Sequence, residues 1–411
     1  MNVMVERKEY LDRLWAWKDE QQIKVVTGIR RCGKSVLLEQ YQQRLLSAGV
    51  TPEQIISINF EDLDYEQLKD YTELYRFIKT RLCAGRMTYI FLDEIQNVPS
   101  FEKVVDSLYI KDNVDIYITG SNAYMLSSEL ATLLSGRYVE VSMLPLSFRE
   151  YSSLTGLTGE SAFDEYMKTG GIPYVAVMER SDDKVDQYLE GIYNTVIVKD
   201  IEERQSRKEK EVGKRKITDI ALLKTIARYL ASVIGSPVST KSVTDYLISS
   251  GRKISQNTVN DYIEALTETF LFYPVERFDI VGKQLLKVNK KLYMVDMGLR
   301  NHILPRKRYD LGFTIENIVY LELLRRGYKV NVGRYGTTEV DFVAQKQGII
   351  TYYQITADMT SEETFDREMR PLRNIRDNYE KFVLTLDRFS SGNYDGIKVV
   401  NVIDWLLDYQ G

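Results

Sequence analysis

The chain has 411 residues, 44% of them hydrophobic and 28% charged, and a net charge of −4. This length exceeds one simple core and predicts two or three globular domains, while the acidic balance excludes binding of nucleic acid through overall charge. One histidine and two cysteines exclude a histidine-based zinc centre and a disulfide framework, and no apolar run reaches the ~18 residues of a membrane helix or forms a signal-peptide core near Met1 to Arg7, so a cytoplasmic location is expected.

Residues 1–145 alternate between strand-like and helix-like patterns. Strands are expected at 23–27, 55–60, 88–92, 114–119 and 137–142, with helices near 35–48, 65–84, 101–110 and 122–134. Such alternation predicts an α/β domain with a parallel sheet covered by helices. Between the first strand and the first helix stands Gly28-Ile29-Arg30-Arg31-Cys32-Gly33-Lys34-Ser35, and Val36 follows inside the helix. The pattern is G-x-x-x-x-G-K-S at a strand–turn–helix junction. Its glycines let the backbone curl so that N–H groups point at phosphate oxygens, and the helix N-terminus adds partial positive charge. Lys34 supplies an ammonium for β- and γ-phosphates, and Ser35 a hydroxyl for Mg²⁺. Residues 28–36 are therefore the expected ATP-binding set. Whether Arg30 and Arg31 face the nucleotide or a neighbour is left open by the sequence.

The strand expected at 88–92 runs into Asp93-Glu94. An acid at the carboxyl end of a neighbouring strand can reach Mg²⁺ beside the phosphate loop, which suits Asp93. The next acid, Glu94, can then polarise the attacking water. The following strand ends at Gly120-Ser121-Asn122. A polar residue there, Ser121 or Asn122, would sit between the metal strand and the phosphate loop and orient that water, or serve as a helix N-cap. Arg137 follows Gly136 and precedes the fifth strand, where a guanidinium can reach a phosphate in cis or across a subunit interface, or simply pair on the surface.

Beyond Pro145 the pattern changes. Residues 146–216 read as a helical lid and linker, broken by Gly170-Gly171-Ile172-Pro173 and ending in a charge-dense stretch from Asp200 to Lys216. Residues 217–300 hold three helical patterns, the third opening at Ser255-Gln256-Asn257-Thr258, then extended runs at 271–275 and 291–295 suited to a small wing, the layout of a winged helix-turn-helix. Residues 301–411 alternate again, with helices near 312–326 and 362–378 and strands near 328–333, 339–344, 350–355 and 381–386. DNA is a candidate partner here. The helix opening at Ser255 is polar, and residues 281–310 hold eight Lys/Arg against two Asp, interleaved with Tyr293 and Tyr309.

The phosphate loop, Phe91-Leu92-Asp93-Glu94-Ile95-Gln96, Thr119-Gly120-Ser121-Asn122, Leu134-Ser135-Gly136-Arg137, Leu144-Pro145-Leu146-Ser147-Phe148-Arg149-Glu150-Tyr151 and Gly170-Gly171-Ile172-Pro173 stand in an order that resembles one family of prokaryotic AAA-type ATPases. In that family an AAA_14 module precedes a domain of unknown function, DUF4143. The resemblance covers nearly the whole chain. It implies an AAA+ core, a winged-helix segment, a C-terminal domain like restriction endonucleases, and a phosphate-sensing role for Arg137. Glu316, Glu339-Val340-Asp341 and Tyr353-Gln354-Ile355-Thr356 follow the order of the PD-(D/E)xK nuclease pattern. Gln354 stands at the second acid and Thr356 at the lysine, so DNA cleavage is not expected. The expected activity is a Mg²⁺-dependent ATPase working as a conformational switch on an unidentified protein partner, with oligomers compatible with a shared arginine. The rival readings are a DNA-binding regulator with vestigial hydrolysis and an ATP-regulated nuclease.

Overall fold

In the computed structural model, residues 4–121, 134, 136–179, 181–201, 219–304 and 311–408 are described. The chain divides into two compact units, Met1–Pro145 with Glu268–Phe270, and Leu146–Thr267 with Leu271–Gly411.

The first unit is built on five parallel strands, β1 (Ile23–Thr27), β2 (Ile55–Asn59), β3 (Thr88–Asp93), β4 (Val114–Gly120) and β5 (Tyr138–Ser142), in the order β2-β3-β4-β1-β5. This is the parallel α/β sheet expected from the alternation of strands and helices in the sequence. Every residue of β1 and β3 is buried, as expected of strands covered on both faces. Helices α1 (Lys8–Trp15), α2 (Lys34–Ser47), α3 (Tyr71–Lys79) and α4 (Phe101–Tyr109) flank the sheet. The helix expected over 65–84 is interrupted, because the Asp70 side chain accepts from the N–H groups of Thr72 and Glu73 and caps α3 afresh. Helix α1, with Tyr10, Leu11 and Leu14 buried on one face, was not among the expected helices. The helix expected at 122–134 lies almost wholly outside the described residues.

Since all five strands run the same way, the turns after Thr27, Asp93 and Gly120 emerge at one edge of the sheet, with β4 between β3 and β1. Open α/β sheets bind their ligands at this carboxyl edge. The opposite edge holds a buried polar chain. The Lys24 ammonium meets Asp115, the Tyr117 hydroxyl donates to Asp115 at 2.9 Å, and Tyr117 and Tyr41 share a hydrogen bond at 2.9 Å.

The second unit opens with helices at Phe148–Thr155, Gly159–Thr169, Pro173–Val177 and Asp182–Asn194. The first carries a capping box of Ser147 and Glu150. Helices at Ile220–Ser232, Thr240–Ser249 and Gln256–Glu268 follow. A nine-stranded mixed sheet completes the unit. Its order is β13 (Gly392–Tyr394), β14 (Ile397–Asn401), β12 (Glu380–Thr385), β11 (Ile349–Thr356), β10 (Thr338–Lys346), β9 (Lys329–Tyr335), β7 (Phe272–Asp279), β8 (Gln284–Met294) and β6 (Pro237–Val238). The hairpin β7–β8 joins the later strands through parallel pairing of β7 with β9, so the runs assigned to a wing and to a separate C-terminal segment share one sheet. Strands β13 and β14 and the helix Val402–Leu407 were not expected.

The Gly170-Gly171 break has a packing cause within this unit. Asp296 accepts from the Gly171 N–H at 2.6 Å and caps the helix Met297–Ile303 through Leu299 at 3.0 Å. A Cβ on Gly170 would lie 2.2 Å from the Asp296 carboxylate. Burial pushes Asp296 up to about 6, against the opposing pull of these amides.

Candidate functional site

The phosphate loop begins where β1 ends. Gly28 (φ 149°) and Gly33 (φ 104°) take backbone conformations that side chains disfavour, and Gly33 is the N-cap of α2. At Gly28 the requirement is doubled, because a Cβ would lie 2.2 Å from the Met143 carbonyl oxygen. Arg31 also has positive φ and is exposed. Arg30 turns to Glu61, just past β2, at 3.2 Å. Ile29 and Cys32 are buried, and burial pushes the Cys32 thiol up.

Lys34, in the first turn of α2, is buried. Its ammonium donates to the Gly28 carbonyl at 3.1 Å and lies 3.5 Å from the Glu94 carboxylate. Burial opposes its charge, but Glu94, Cys32 and Asp93 together outweigh burial, so its pKa stands above the ordinary lysine value. The Ser35 hydroxyl bonds to Asp93. A hydroxyl beside a carboxylate is an all-oxygen donor set suited to Mg²⁺, so the residues present fit a nucleotide with that cation.

The adjacent acids at the end of β3 behave oppositely. Burial raises Asp93, with Ser35 and Thr119 pulling the other way. Burial also acts to raise Glu94, but Lys34 and Arg30, with hydrogen bonds from Gln96 and Ser121, overcome it and hold its carboxyl below the usual range. Glu94 sits at φ 52°, ψ 46°, a left-handed conformation that costs a non-glycine residue roughly 1–2 kcal/mol. Its N–H donates to the Thr119 hydroxyl at 2.8 Å, and that hydroxyl donates in turn to Asp93. Thr119 therefore fixes both acids. Gln96 donates to the Glu94 carboxylate, and Ser121 donates to the same oxygen at 3.3 Å.

The structure thus brings Gly28, Gly33, Lys34, Ser35, Asp93, Glu94 and Ser121 to one edge of the sheet. Asn122 lies outside the described residues. Arg137 is not brought to this edge in its own chain. It precedes β5, whose Tyr138 pairs with Ile23 at the start of β1, while the loop follows Thr27. At about 3.3 Å per residue the two ends of β1 lie ~13 Å apart. There Arg137 pairs with Asp106 and stacks over Tyr109, both on α4. In this arrangement the guanidinium is engaged on α4, at the end of β1 opposite the phosphate loop. Sequence reasoning missed the roles of Thr119 and Gln96. The signal for Thr119 was one hydroxyl in an otherwise apolar strand end beside Asp93.

The acids of the C-terminal sheet form a second polar cluster. The Lys291 ammonium, from β8, lies 3.0 Å from Glu316 and 2.8 Å from Glu339. Tyr293 donates to Glu316, and Arg277 pairs with Glu339. Burial raises Glu316 and Asp341, and Lys291 opposes both shifts. Lys291 itself is held above its ordinary value, because Glu316 and its neighbours outweigh burial. Asp341 accepts from the Ile355 N–H at 2.7 Å, and Gln354 donates to Glu368 at 3.2 Å. Thr356 donates to the Asp358 carbonyl. The ammonium of this cluster comes from Lys291 on β8, and Glu316 and Glu339 occupy it. Among the described residues, no group of His, Cys, Asp and Glu is arranged to hold a metal ion.

Of the Lys and Arg residues at 281–310 whose side chains the structure describes, Lys283 is exposed and three are engaged. Lys291 and Arg300 are buried, and Arg300 donates to the Ala231 carbonyl at 3.0 Å. Lys290 pairs with Glu276 at 3.2 Å. Arg306, Lys307, Arg308 and Tyr309 lie outside the described residues, as does the Lys287 side chain. The helix Gln256–Glu268 exposes Gln256, Asn257 and Asn260, and also Glu264, which accepts from Asn260 at 2.8 Å. Among the described residues, no helix is long and apolar enough to cross a membrane.

Residues 20–152 match the AAA_14 family, described as an AAA domain. Residues 160–310 match DUF8612, a domain of unknown function, where the sequence resemblance implied DUF4143. An uncharacterized protein of Haemophilus influenzae is 38% identical over 410 residues, covering 98% of this chain and 99% of that protein. An uncharacterized protein of Methanocaldococcus jannaschii is 27% identical over 417 residues, covering 94% and 88%. Among solved structures, the Walker-type ATPase PABY2304 of Pyrococcus abyssi aligns over 73% of this chain and 96% of its own, at 15% identity and a TM-score of 0.46. The chain belongs to the same family as the Haemophilus influenzae protein, and its residues 20–152 match AAA_14 and 160–310 match DUF8612.

Proposed function

We propose that the chain binds ATP with Mg²⁺ at residues 28–36 and hydrolyses it, and that the bound state acts as a switch on a protein partner. The observation that carries this reading is the convergence of three strand ends, with Lys34 and Ser35 beside Asp93, Glu94 and Ser121. Lys34 and the loop amides hold the β- and γ-phosphates. Ser35 and Asp93 hold Mg²⁺, which when bound draws charge from the phosphate oxygens. Glu94, kept ionised by Lys34 and Arg30, orients the attacking water and accepts its proton. Ser121 and Gln96 fix the carboxylate that does so. Arg137 serves a nucleotide held by a neighbouring subunit, since its own loop lies at the other end of β1.

The test is Glu94→Gln. ATP binding should persist while turnover falls by about 10²-fold or more, the usual scale for losing a positioned base. Turnover at the wild-type rate would remove Glu94 from the chemistry.

A second reading, a DNA-binding regulator, draws on the order of helix, helix and hairpin over residues 240–294 and on the exposed amides of Gln256, Asn257 and Asn260. The exposed Glu264 and the buried Lys291 and Arg300 count against it. Salt-dependent duplex binding without turnover would favour it. An ATP-regulated nuclease is the weakest reading, because Lys291 already neutralises the acids that would draw in a metal.

A further inference from the structure

Arg7 is a buried arginine just ahead of α1, 3% exposed, and the nucleotide chemistry does not use it. Its guanidinium donates to the Cys32 carbonyl, inside the phosphate loop, at 3.1 Å. It also donates to the Leu144 carbonyl at 2.8 Å and lies 3.4 Å from that of Pro145. One planar, permanently charged group therefore ties the loop to the stretch that leaves β5. Two further links join the same parts. The Met143 N–H donates to the Thr27 carbonyl at 2.7 Å, and the Met143 carbonyl closes over Gly28, leaving no room for a Cβ. The Tyr10 hydroxyl accepts from the Leu144 N–H at 3.1 Å. Gln40, on α2, holds residues 5–7, the strap that leads into α1, donating to the Val5 carbonyl at 2.8 Å and accepting from the Arg7 N–H.

Pro145 is the last residue of the first unit before the chain enters the second at Leu146. We infer that Arg7 is a positioning residue that transmits nucleotide occupancy from the phosphate loop to residues 143–145, and so to the start of the second unit's chain. The physical reason is that a loop which turns its amides toward phosphate must also reorient its carbonyls. The Cys32 carbonyl is one end of the Arg7 clamp, so a shift there is felt at Leu144. A buried guanidinium that loses one carbonyl must find another partner, because leaving it unpaired is costly. This coupling rests on the nucleotide reading above.

The test uses the full chain, with calorimetry for ATP·Mg²⁺ binding and hydrogen exchange for backbone amides. In the wild type, ATP should change exchange at the Met143 and Leu144 amides by about tenfold, equivalent to 1.4 kcal/mol. Arg7→Met should still bind ATP, with affinity weakened by about tenfold or less, and should lose the ATP-dependent change at Leu144. Arg7→Lys should restore it in part, because one ammonium reaches fewer carbonyls. A merely structural arginine would instead raise exchange at Leu144 equally with and without ATP. Gln40→Leu, which loosens the strap without touching the guanidinium contacts, covers the case in which Arg7→Met fails to fold, and it should shrink the ATP-dependent change. ATP binding to the wild type with unaltered exchange at Met143 and Leu144 would overturn the coupling alone. An unchanged ATP response in either folded variant would do the same. Failure of the wild type to bind ATP would overturn the nucleotide reading beneath it.

Discussion

Replacing Thr119 by valine isolates the group that holds both acids of the site. The side chains have nearly the same shape, so the change removes a hydroxyl and little volume. Two bonds go with it. Asp93 loses a donor, and the Glu94 N–H loses its acceptor at 2.8 Å. Thr119, Asp93 and Glu94 are all buried, so water compensates poorly. A hydrogen bond to a charged group contributes roughly 1.5–3 kcal/mol, and an orphaned buried donor costs roughly 1–3 kcal/mol. Offset by the apolar gain of the added methyl, the net loss should be about 3 kcal/mol. For a unit of this size that is a fall in Tm of about 6–12 °C. Differential scanning calorimetry of the full chain reads it, with Thr119→Ser as the control that keeps the hydroxyl. The serine variant should lose only about 1 kcal/mol, the scale of one buried methyl group. Without the Thr119 bond, Glu94 also loses support for its left-handed backbone, so turnover should fall along with stability. If the valine variant melts with the wild type, or the serine variant melts with the valine variant, the hydroxyl does not hold these acids.

Arg137→Ala should leave ATP affinity nearly intact and lower turnover, and mixing it with Glu94→Gln subunits should restore part of the activity. Normal turnover by Arg137→Ala would make the arginine a structural partner of Asp106 and Tyr109. Asp296 gives a pH dependence. Its carboxyl is raised from 3.8 to about 6 on folding, so the folded state holds the extra proton between those values. Its contribution to stability is greatest below about pH 4 and falls by about 3 kcal/mol as pH rises to about 6. Denaturant unfolding should show the stability difference between wild type and Asp296→Asn falling by about 2 kcal/mol from pH 4.5 to pH 8, because roughly a third of the change lies below pH 4.5. A difference between the two proteins that does not change with pH would contradict it.

The first unit was legible because its physics is local. Buried parallel strands read as unbroken apolar runs, as in Tyr89–Leu92, and the loop needs its two glycines wherever it occurs. Asp93, Glu94 and Ser121 could be placed because each follows a strand end at the same edge. Arg137 could not, because its position depends on which end of β5 meets which end of β1, and spacing along the chain does not carry that register. Arg7 and Thr119 were missed for a related reason, since their partners are carbonyls and acids far away in sequence. In the second unit, Lys291 stands 25 residues before the Glu316 it neutralises, and no local pattern marks the pair. The apolar alternation there gave most of the strands but not that the hairpin and the later strands share one sheet.

Calorimetric titration of wild type and Lys34→Ala with ATP and Mg²⁺ tests the central claim most directly. The Lys34 ammonium is buried at the loop, 3.1 Å from the Gly28 carbonyl and 3.5 Å from the Glu94 carboxylate. Loss of this charge removes a charge-assisted contact to phosphate. Wild type should bind ATP with a single site, and Lys34→Ala, folded by its melting curve, should show no binding. Wild-type affinity in the folded Lys34→Ala variant would contradict the assignment of residues 28–36 as the phosphate loop.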